Sequence, residues 1–402
     1  MIQKKILIFE PYTFSEIYGN LRYIMLIFKY IDRSKFEIIF VTPFENSFVE
    51  ILKNGGVSCI VLSPPRFLSD YGGVILNSSL FRKFLVVFAI LKYTISLSRL
   101  IIKEHVQVIQ CHSIRSLLTI GLAAKLTRRP CIWYIKGELT NKILDRIGFF
   151  LANRIFFLNR TMRNVNYDTL VERYRKKISI LKIGIDSAEV LAAGKRRRVD
   201  LKKELEIDEK NINICFLGTI APYKGLKHLI KAIGKVTSNF PNTKVYIVGN
   251  HCIDEFQDYK TTLDRTIERE NIRDYVVFTG WRADALDILA LMDIYVLPSL
   301  SEGVPRSIVE AMMLGKPVVA TRVGGIAELV RHGETGFLVK PMDSEELADS
   351  IIALAKEEGL RNKFGERART LALSEYSIQD NIAGLEKAYV ELIGMKAWRG
   401  KV

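Results

Sequence analysis

In this chain of 402 residues, the pattern that most clearly indicates a ligand-binding site is a pair of glutamates eight residues apart. Glu302 precedes a predicted helix from about Pro305 to Leu314, and Glu310 lies inside that helix. Eight residues are just over two helical turns, so the carboxylates lie on roughly one side, about 12 Å apart at 1.5 Å per residue. Carboxylates accept hydrogen bonds from hydroxyls, which a nucleotide sugar carries at both ends of its diphosphate. The pair therefore fits a nucleotide-sugar site, although two solvated glutamates on an ordinary helix would have the same spacing.

The start of the same helix is predicted to bind an anion. Pro305 suits the first helical position, where a missing N–H costs nothing. The amides from Gly303 through Val304 to Ser307 lack helical partners, and the helix dipole favours negative charge at this end. Gly303 also permits close approach. We expect a diphosphate to bind here.

Two glycine turns after other predicted strands add donor-site candidates. In the loop that begins with Gly218 and Thr219, a helix starts near Gly225, and Lys224 could place its ammonium on a phosphate. Gly324–Gly325 follow another strand and either allow a ligand to approach the backbone or form a plain turn.

The elements behind these loops follow the pattern of parallel βαβ units, because short apolar runs alternate with longer helical patterns. Ligands of such open sheets bind outside the carboxyl ends of the strands. The sequence therefore predicts an α/β protein with two doubly wound, Rossmann-like domains facing across a cleft. We place these domains at residues 1–187 and 188–380, with a linker at Asp186–Lys203 and a C-terminal helix over 381–402 that could pack back on the first domain. The thirteen predicted strands are Lys5–Phe9, Phe36–Thr42, Val57–Leu62, Val106–Cys111, Cys131–Ile135, Arg154–Leu158, Ile178–Leu181, Asn213–Leu217, Lys244–Val248, Val276–Thr279, Ile294–Leu297, Pro317–Thr321 and Phe337–Val339.

Composition narrows the class of protein further. Hydrophobic residues make up 49% of the chain, which excludes a disordered or low-complexity protein. The five cysteines lack CxxC spacing, so neither a zinc cluster nor a disulfide framework is indicated. The apolar run at the N-terminus stops at Glu10 and is too short for a signal peptide, so we expect a cytoplasmic protein.

Charge is concentrated in the first half of the chain. Of the net +15, residues 1–190 carry +14, from 28 Lys and Arg against 14 Asp and Glu, which suggests a large anionic partner. Phe81–Lys103 is unusually apolar, but Lys92 and Arg99 interrupt it, and a central charge costs a spanning helix about 2.5–3.5 kcal/mol. The segment is either a buried helix or a helix that lies at a bilayer interface.

The second half resembles the donor domain of the retaining GT-B-fold glycosyltransferases of family four, the glycosyl transferases group 1. The resemblance rests on EGVPRSIVEAM with its Glu-x7-Glu pair, the Gly218–Gly225 loop, VGGIAE at Val323–Glu328 and GETGFLV at Gly333–Val339. It implies that Glu310 binds the nucleotide ribose, that Glu302 faces the donor sugar, and that Lys224 binds the diphosphate.

The remaining site assignments follow from the same resemblance. Glu302 and Lys224 are the expected catalytic pair, and Arg282 joins the donor-binding residues. On the acceptor side, the family usually has a pair of glycines, of which this chain keeps Gly19, and it often has a histidine at the position that Lys136 occupies here. His112 is either structural or functional. Thr219 replaces the arginine that usually follows the first loop glycine. No metal site is expected, and Asp284 and Asp287 are interpreted as solvent-facing helix residues.

The sequence therefore predicts a retaining glycosyltransferase that moves a hexose-type sugar from a nucleoside diphosphate donor, with a UDP-sugar favoured, to an acceptor hydroxyl. No cofactor or metal is expected. The expected partners are this donor, a lipid-linked saccharide of surface polysaccharide assembly and the anionic inner face of the plasma membrane. The basic cluster Arg173–Lys177 would contribute to membrane binding. No nucleic acid is expected as a partner. The alternatives are an epimerase or phosphorylase on the same fold, a catalytically impaired binder of anionic ligands, and a transferase with a soluble acceptor.

Overall fold

The computed structural model describes residues 3–11, 19–65, 80–137, 139, 141–160, 167–196, 198–250 and 257–399. The chain divides into two compact units, which are Met1–Leu181 with Gln379–Val402, and Lys182–Ile378. Each unit has its own parallel sheet with helices in the connections. The α/β class predicted from the alternation of apolar runs is therefore confirmed, and every predicted strand is found with ends within two residues of the expected ones.

The first unit contains a seven-stranded sheet in the order β3-β2-β1-β4-β5-β6-β7. Strands such as Cys131–Ile135 are buried along their whole length, which is why they read as continuous apolar runs rather than as an alternating pattern. The strands are β1 Lys4–Phe9, β2 Phe36–Thr42, β3 Ser58–Val61, β4 Val108–Cys111, β5 Cys131–Ile135, β6 Arg154–Phe157 and β7 Ile178–Ile180, and the helices are α1 Gly19–Tyr30, α2 Ser47–Asn54, α3 Leu80–Lys103, α4 Ile114–Leu126, α5 Lys142–Leu151 and α6 Asp168–Arg173.

The second unit contains a six-stranded sheet in the order β10-β9-β8-β11-β12-β13. Strand order reverses between β8 and β11, where Ile214 pairs with Ile294. The strands are β8 Ile212–Leu217, β9 Thr243–Val248, β10 Val276–Gly280, β11 Ile294–Leu297, β12 Val318–Thr321 and β13 Gly336–Val339, and the helices are α7 Ser187–Lys195, α8 Val199–Glu204, α9 Leu226–Asn239, α10 Gln257–Arg269, α11 Ala285–Leu291, α12 Arg306–Met313, α13 Ile326–Leu329, α14 Ser344–Lys356 and α15 Glu358–Glu375.

The segment predicted as a linker, Asp186–Lys203, is folded as part of the second unit. Asp186 caps α7 by accepting a hydrogen bond from the Glu189 amide, and Val190 is buried. The unit begins earlier than predicted, at Lys182, because Ile185 forms a bridge with Ser377. The linker prediction was wrong because this segment, although rich in charge and small residues, forms two short helices that bury Val190, Ala193 and Leu201.

Asp287 is also placed differently from its prediction. Its carboxylate is buried and accepts hydrogen bonds from Arg196 at 2.9 Å and from Arg198 at 3.0 Å. A buried carboxylate requires such partners, so Asp287 ties the α7–α8 connection to α11 instead of facing solvent.

The last helix, α16 Ile378–Arg399, packs on the first unit. Tyr23 donates a hydrogen bond to Asn381 Oδ1 at 2.6 Å, and Arg154 forms an ion pair with Glu391 at 2.6 Å. The chain therefore returns to its first unit after completing the second.

Helix α3 contains the apolar segment whose placement the sequence left open. Among the described residues, its part Leu85–Lys103 is the one stretch long and apolar enough to cross a membrane by length and composition, with a mean hydropathy of 1.9. One stripe of the helix is buried, including Tyr93, Leu97 and Ile101, while Phe88 on the opposite side is 61% exposed. About 33% of this stretch is thus buried in the unit, and a second apolar side of the helix faces outward.

Candidate active site

The predicted donor loops meet at the edge of the second sheet. Strands β8 and β11 are adjacent and parallel, so the loops that follow them leave the same edge at the point where strand order reverses. The Leu300 amide donates a hydrogen bond to the Tyr223 carbonyl at 2.7 Å and joins the two loops directly. Gly225 has φ +68°, and a Cβ there would lie 1.9 Å from the Pro298 carbonyl oxygen. Glycine at this position is what allows the loops to pack so closely.

Lys224 and Glu302 form an ion pair at this junction. Lys224 Nζ lies 2.5 Å from Glu302 Oε1, and their side chains are only 16% and 9% exposed. Ser299 Oγ donates to the same carboxylate oxygen at 2.8 Å. The two residues assigned to catalysis from the sequence are therefore in contact, which their separation of 78 residues did not indicate.

Glu310 projects from the second turn of α12 and is buried. Arg306 lies one turn before it, with Nη2 3.8 Å from Glu310 Oε1, and also donates to the Gly184 carbonyl. Ser307 accepts a hydrogen bond from the Tyr295 hydroxyl at 2.6 Å, and burial raises the pKa of Tyr295 well above its usual value. The helix begins one residue later than predicted, with Pro305 at its cap position.

The loop that carries Glu302 is held by Gly324 and Gly325. Gly324 has φ +46°, and a Cβ there would lie 1.8 Å from the Glu302 carbonyl oxygen. The Gly325 amide donates to the Gly303 carbonyl at 2.8 Å. The backbone that closely approaches these glycines is therefore the Glu302 loop itself. No side chain fits between this loop and Gly324.

The donor-loop residues Gly218 and Thr219 follow β8, and Val304 precedes α12. The Gly218 amide donates to the Val248 carbonyl at 3.0 Å. Arg282 lies apart from these loops in sheet order, since it follows the edge strand β10, and β9 separates β10 from β8. It binds Glu204 at 2.6 Å and Asp284 at 2.8 Å, and these carboxylates raise its pKa above the usual value.

The first unit has a buried polar cluster at the carboxyl edge of its own sheet. Glu10, His112 and Lys136 directly follow the adjacent strands β1, β4 and β5. Lys136 Nζ lies 4.4 Å from the centre of the Tyr23 ring, and the His112 ring lies 5.6 Å from it. The structure therefore brings two predicted acceptor-side residues together. Gly19, the third, opens α1.

Glu10 is the member of this cluster that the sequence did not reveal as a site residue. It is 1% exposed and accepts a hydrogen bond from Ser116 Oγ at 3.1 Å. Burial raises its pKa to about 7, against the opposing effect of the Lys136 charge. Burial and the same charge hold the pKa of His112 well below its usual value. The sequence signal that could have identified Glu10 is its position directly after the first strand, at the end where ligands of a parallel sheet bind.

Among the described residues, no group of three or more His, Cys, Asp or Glu side chains is placed to hold a metal ion.

Comparison with known proteins supports the resemblance. Residues 198–371 match the family model described as glycosyl transferases group 1. N-acetyl-alpha-D-glucosaminyl L-malate synthase of Bacillus anthracis is 30% identical over 199 residues, which is 50% of each chain. The UDP-Gal:alpha-D-GlcNAc-diphosphoundecaprenol alpha-1,3-galactosyltransferase of Escherichia coli is 24% identical, with 75% of this chain and 80% of that one covered. The match thus spans about half the length of the first of these relatives and most of the second.

A solved structure extends the likeness of the fold over both units. The structure of Anabaena Alr3699/HepE in complex with UDP and glucose is similar with a TM-score of 0.76 and 21% identity, and the match covers 96% of this chain and 99% of that one. The fold of the chain is GT-B, as the resemblance implied.

Proposed function

Since residues 198–371 match the family model of the glycosyl transferases group 1, we propose that this chain is a retaining glycosyltransferase that moves a hexose-type sugar from a UDP-sugar to a hydroxyl of a saccharide acceptor. The observation that carries the proposal is the Lys224–Glu302 ion pair at the switch point of the second sheet, with Glu310 buried on the helix that follows. UDP is favoured as the nucleotide because the Anabaena neighbour was solved with UDP, and the E. coli relative is named for a UDP-sugar.

The proposed chemistry depends on charge that develops on the departing diphosphate. The Lys224 ammonium and the amides at the start of α12 stabilise this charge, and they are held in place before the reaction begins. Glu302 keeps Lys224 in position and accepts hydrogen bonds from the donor sugar, while Glu310 accepts them from the ribose. No metal ion is required in this scheme.

The same scheme accounts for retention of configuration. The bond from the anomeric carbon to the diphosphate breaks while the bond to the acceptor oxygen forms on the same face. The acceptor proton passes to an oxygen of the leaving phosphate, so no enzyme nucleophile is needed. The buried cluster of Glu10, His112 and Lys136 would orient the acceptor, since it offers a cation and a carboxylate whose pKa, about 7, allows either protonation state.

Retention can be measured without knowing the acceptor. We expect slow hydrolysis of UDP-glucose, UDP-galactose or UDP-N-acetylglucosamine, in which the sugar first released is the α-anomer, because water replaces the acceptor on the same face. Proton NMR during the first minutes, in the presence of EDTA, would detect it. A β-anomer formed first would refute retention, and absence of UDP release with every donor and with simple acceptor sugars would refute the transferase assignment.

We further propose that the acceptor is a lipid-linked saccharide of surface polysaccharide assembly and that the first unit docks on an anionic membrane from the cytoplasmic side. The support is a surface that we call the three-helix face, formed by α3, α4 and α5, of which α3 packs on α4 and α4 on α5. Its exposed apolar side chains are Val87, Phe88, Ile90, Leu91, Ile95, Ile102, Leu122, Leu126, Ile143, Leu144, Ile147 and Phe150.

Charge on the three-helix face favours an anionic partner. Its described basic residues are Lys92, Arg99, Lys103, Arg115, Lys125, Lys142 and Arg146. Asp145, the acidic residue of these helices, is buried and accepts hydrogen bonds from Tyr167 and the Asn141 amide. A large apolar surface with basic residues, on helices whose described residues expose no carboxylate, matches the interface of an anionic bilayer. The E. coli relative is named for a diphosphoundecaprenol-linked substrate, which agrees with this partner.

Vesicle sedimentation tests the docking surface. Phe88→Ser with Phe150→Ser should lower the partition onto anionic vesicles at least tenfold, because a buried phenylalanine side chain contributes about 1.5–3 kcal/mol. Both side chains are 61% exposed, so folding should be unaffected. Trp281→Ser removes an exposed aromatic side chain of the second unit and should leave binding unchanged. If the wild-type protein stays in the supernatant with anionic vesicles at low salt, the docking proposal fails.

A further inference from the structure

The first unit contains a basic cavity of about 760 Å³ that neither the donor loops nor the acceptor-side cluster uses. Pro130, Asn153 and Lys177 line it and directly precede strands β5, β6 and β7. All strands of a parallel sheet run in one direction, so their amino ends lie together on the side of the sheet opposite to their carboxyl ends. The cavity is therefore at the opposite edge of the sheet from the acceptor-side cluster.

The charges that line this cavity are all positive. Lys125, Arg128, Arg129, Lys176 and Lys177 contribute to its walls, and no acidic residue is among the described residues that line it. Burial and the charge of Lys125 lower the pKa of Lys177 below its usual value. Cations brought together in this way repel one another unless an anion binds between them.

The cavity wall is partly fixed in advance. Lys177 Nζ donates hydrogen bonds to the carbonyls of Phe149, at 3.1 Å, and Ala152, at 2.8 Å. The side chains of Lys125 and Arg128 are exposed and can turn towards a ligand. Arginine and lysine together suit a phosphate group, since the guanidinium fork pairs with two oxygens and the ammonium adds a compact charge.

Apolar side chains at the same cavity indicate what carries the phosphate. Leu392 and Met395 of α16 line one wall. Lys125 Nζ lies 5.2 Å from the centre of the Phe150 ring, so the cavity adjoins the three-helix face. A ligand with a phosphate next to an apolar body fits this combination better than a phosphate alone.

We propose that this cavity binds a phosphate group, and that the group belongs to the headgroup of an anionic phospholipid. The proposal goes beyond glycosyl transfer, since it concerns a second site on the first unit. It also assigns a place to the basic cluster Arg173–Lys177, two of whose members line the cavity. A free phosphate would present the same oxygens, so the experiment must separate the two sources.

The test compares two double variants with the same change of charge. Lys125→Glu with Arg128→Glu removes two cavity cations, and Lys142→Glu with Arg146→Glu removes two exposed cations elsewhere on the three-helix face. Each protein is sedimented with vesicles of a neutral matrix lipid that contain either phosphatidylglycerol or oleate, with the two preparations matched in zeta potential. We expect the wild-type protein and the second variant to prefer phosphatidylglycerol about tenfold, and the first variant to lose this preference.

Isothermal titration with inorganic phosphate and with glycerol 3-phosphate distinguishes the sources. Weak binding of both, together with the vesicle preference, supports the lipid headgroup. Tight binding of inorganic phosphate without a vesicle preference would overturn the lipid assignment, and an equal loss in both double variants would reduce the cavity to general surface charge and overturn the site. Hydrolysis of the UDP-sugar should be unchanged in both variants, so failure here is distinct from failure of the proposed transferase activity.

Discussion

Lys224→Ala is expected to lower kcat/KM for the UDP-sugar by about 100-fold to 1000-fold, the range seen when a group that stabilises developing negative charge is removed. The Lys224 ammonium is 16% exposed and 2.5 Å from Glu302, so its charge is held in a partly desolvated place. In such surroundings its attraction for a departing diphosphate is stronger than in water. Steady-state kinetics of donor hydrolysis would measure the loss.

The control for this variant is another lysine of the same unit that also pairs with carboxylates. Lys235 lies 2.7 Å from Glu345 and 2.7 Å from Asp349 on the exposed side of α9, and Lys235→Ala should keep full activity. Lys224→Ala also leaves the Glu302 carboxylate without its cation, which should cost about 1.5–3 kcal/mol of unfolding free energy. Adding Glu302→Gln should recover part of this stability without restoring activity. Wild-type turnover in folded Lys224→Ala would exclude the assigned role.

The strands and the donor loops could be predicted because their signals are local. A buried strand such as β5 is a short apolar run, and Pro305 and Gly225 define where helices begin. The loop positions then follow from the rule that ligands bind at the carboxyl ends of parallel strands. Hence the predicted donor residues around Lys224 and Glu302 lie together.

The contacts within the site could not be predicted, because they depend on pairs far apart in the chain. Nothing in the sequence around Gly324 indicates that it packs on the Glu302 carbonyl, or that Arg282 is bound by Glu204. The burial of Asp287 likewise depends on Arg196 and Arg198, which were interpreted as part of a linker.

The apolar surface of the first unit was only partly visible in the sequence. Helix α3 was recognised because it is apolar on nearly all sides, whereas α5 has the amphipathic pattern of an ordinary core helix. Ile143 and Phe150 of α5 nevertheless remain exposed, because the buried side of α5 is occupied by its contact with α4. Side-chain exposure here depends on which neighbour a helix has, and periodicity does not supply that information.

Gly324→Ala is expected to lower kcat about 100-fold by displacing the loop that carries Glu302. The added Cβ would lie 1.8 Å from the Glu302 carbonyl oxygen, whereas real Cβ contacts stay beyond 3.0 Å, so the loop must move by more than 1 Å. A displacement of about 1 Å at a reacting centre can cost about 100-fold in rate. The measurement is donor hydrolysis together with the thermal unfolding midpoint.

Gly333→Ala provides the matched control for backbone strain. Gly333 has φ +76° in the same unit, but a Cβ there would meet nothing within 4 Å. Gly333→Ala should lose about 1–2 kcal/mol of stability, because a non-glycine residue is strained in the left-handed region. Gly324→Ala should lose at least as much, since the clash with the Glu302 carbonyl adds to the same strain. Only Gly324→Ala should also lose activity, since only there does the new methyl group displace a site residue. Equal activity in the two folded variants would mean that the position of Glu302 does not control the reaction, and the proposed role of its carboxylate would have to be abandoned.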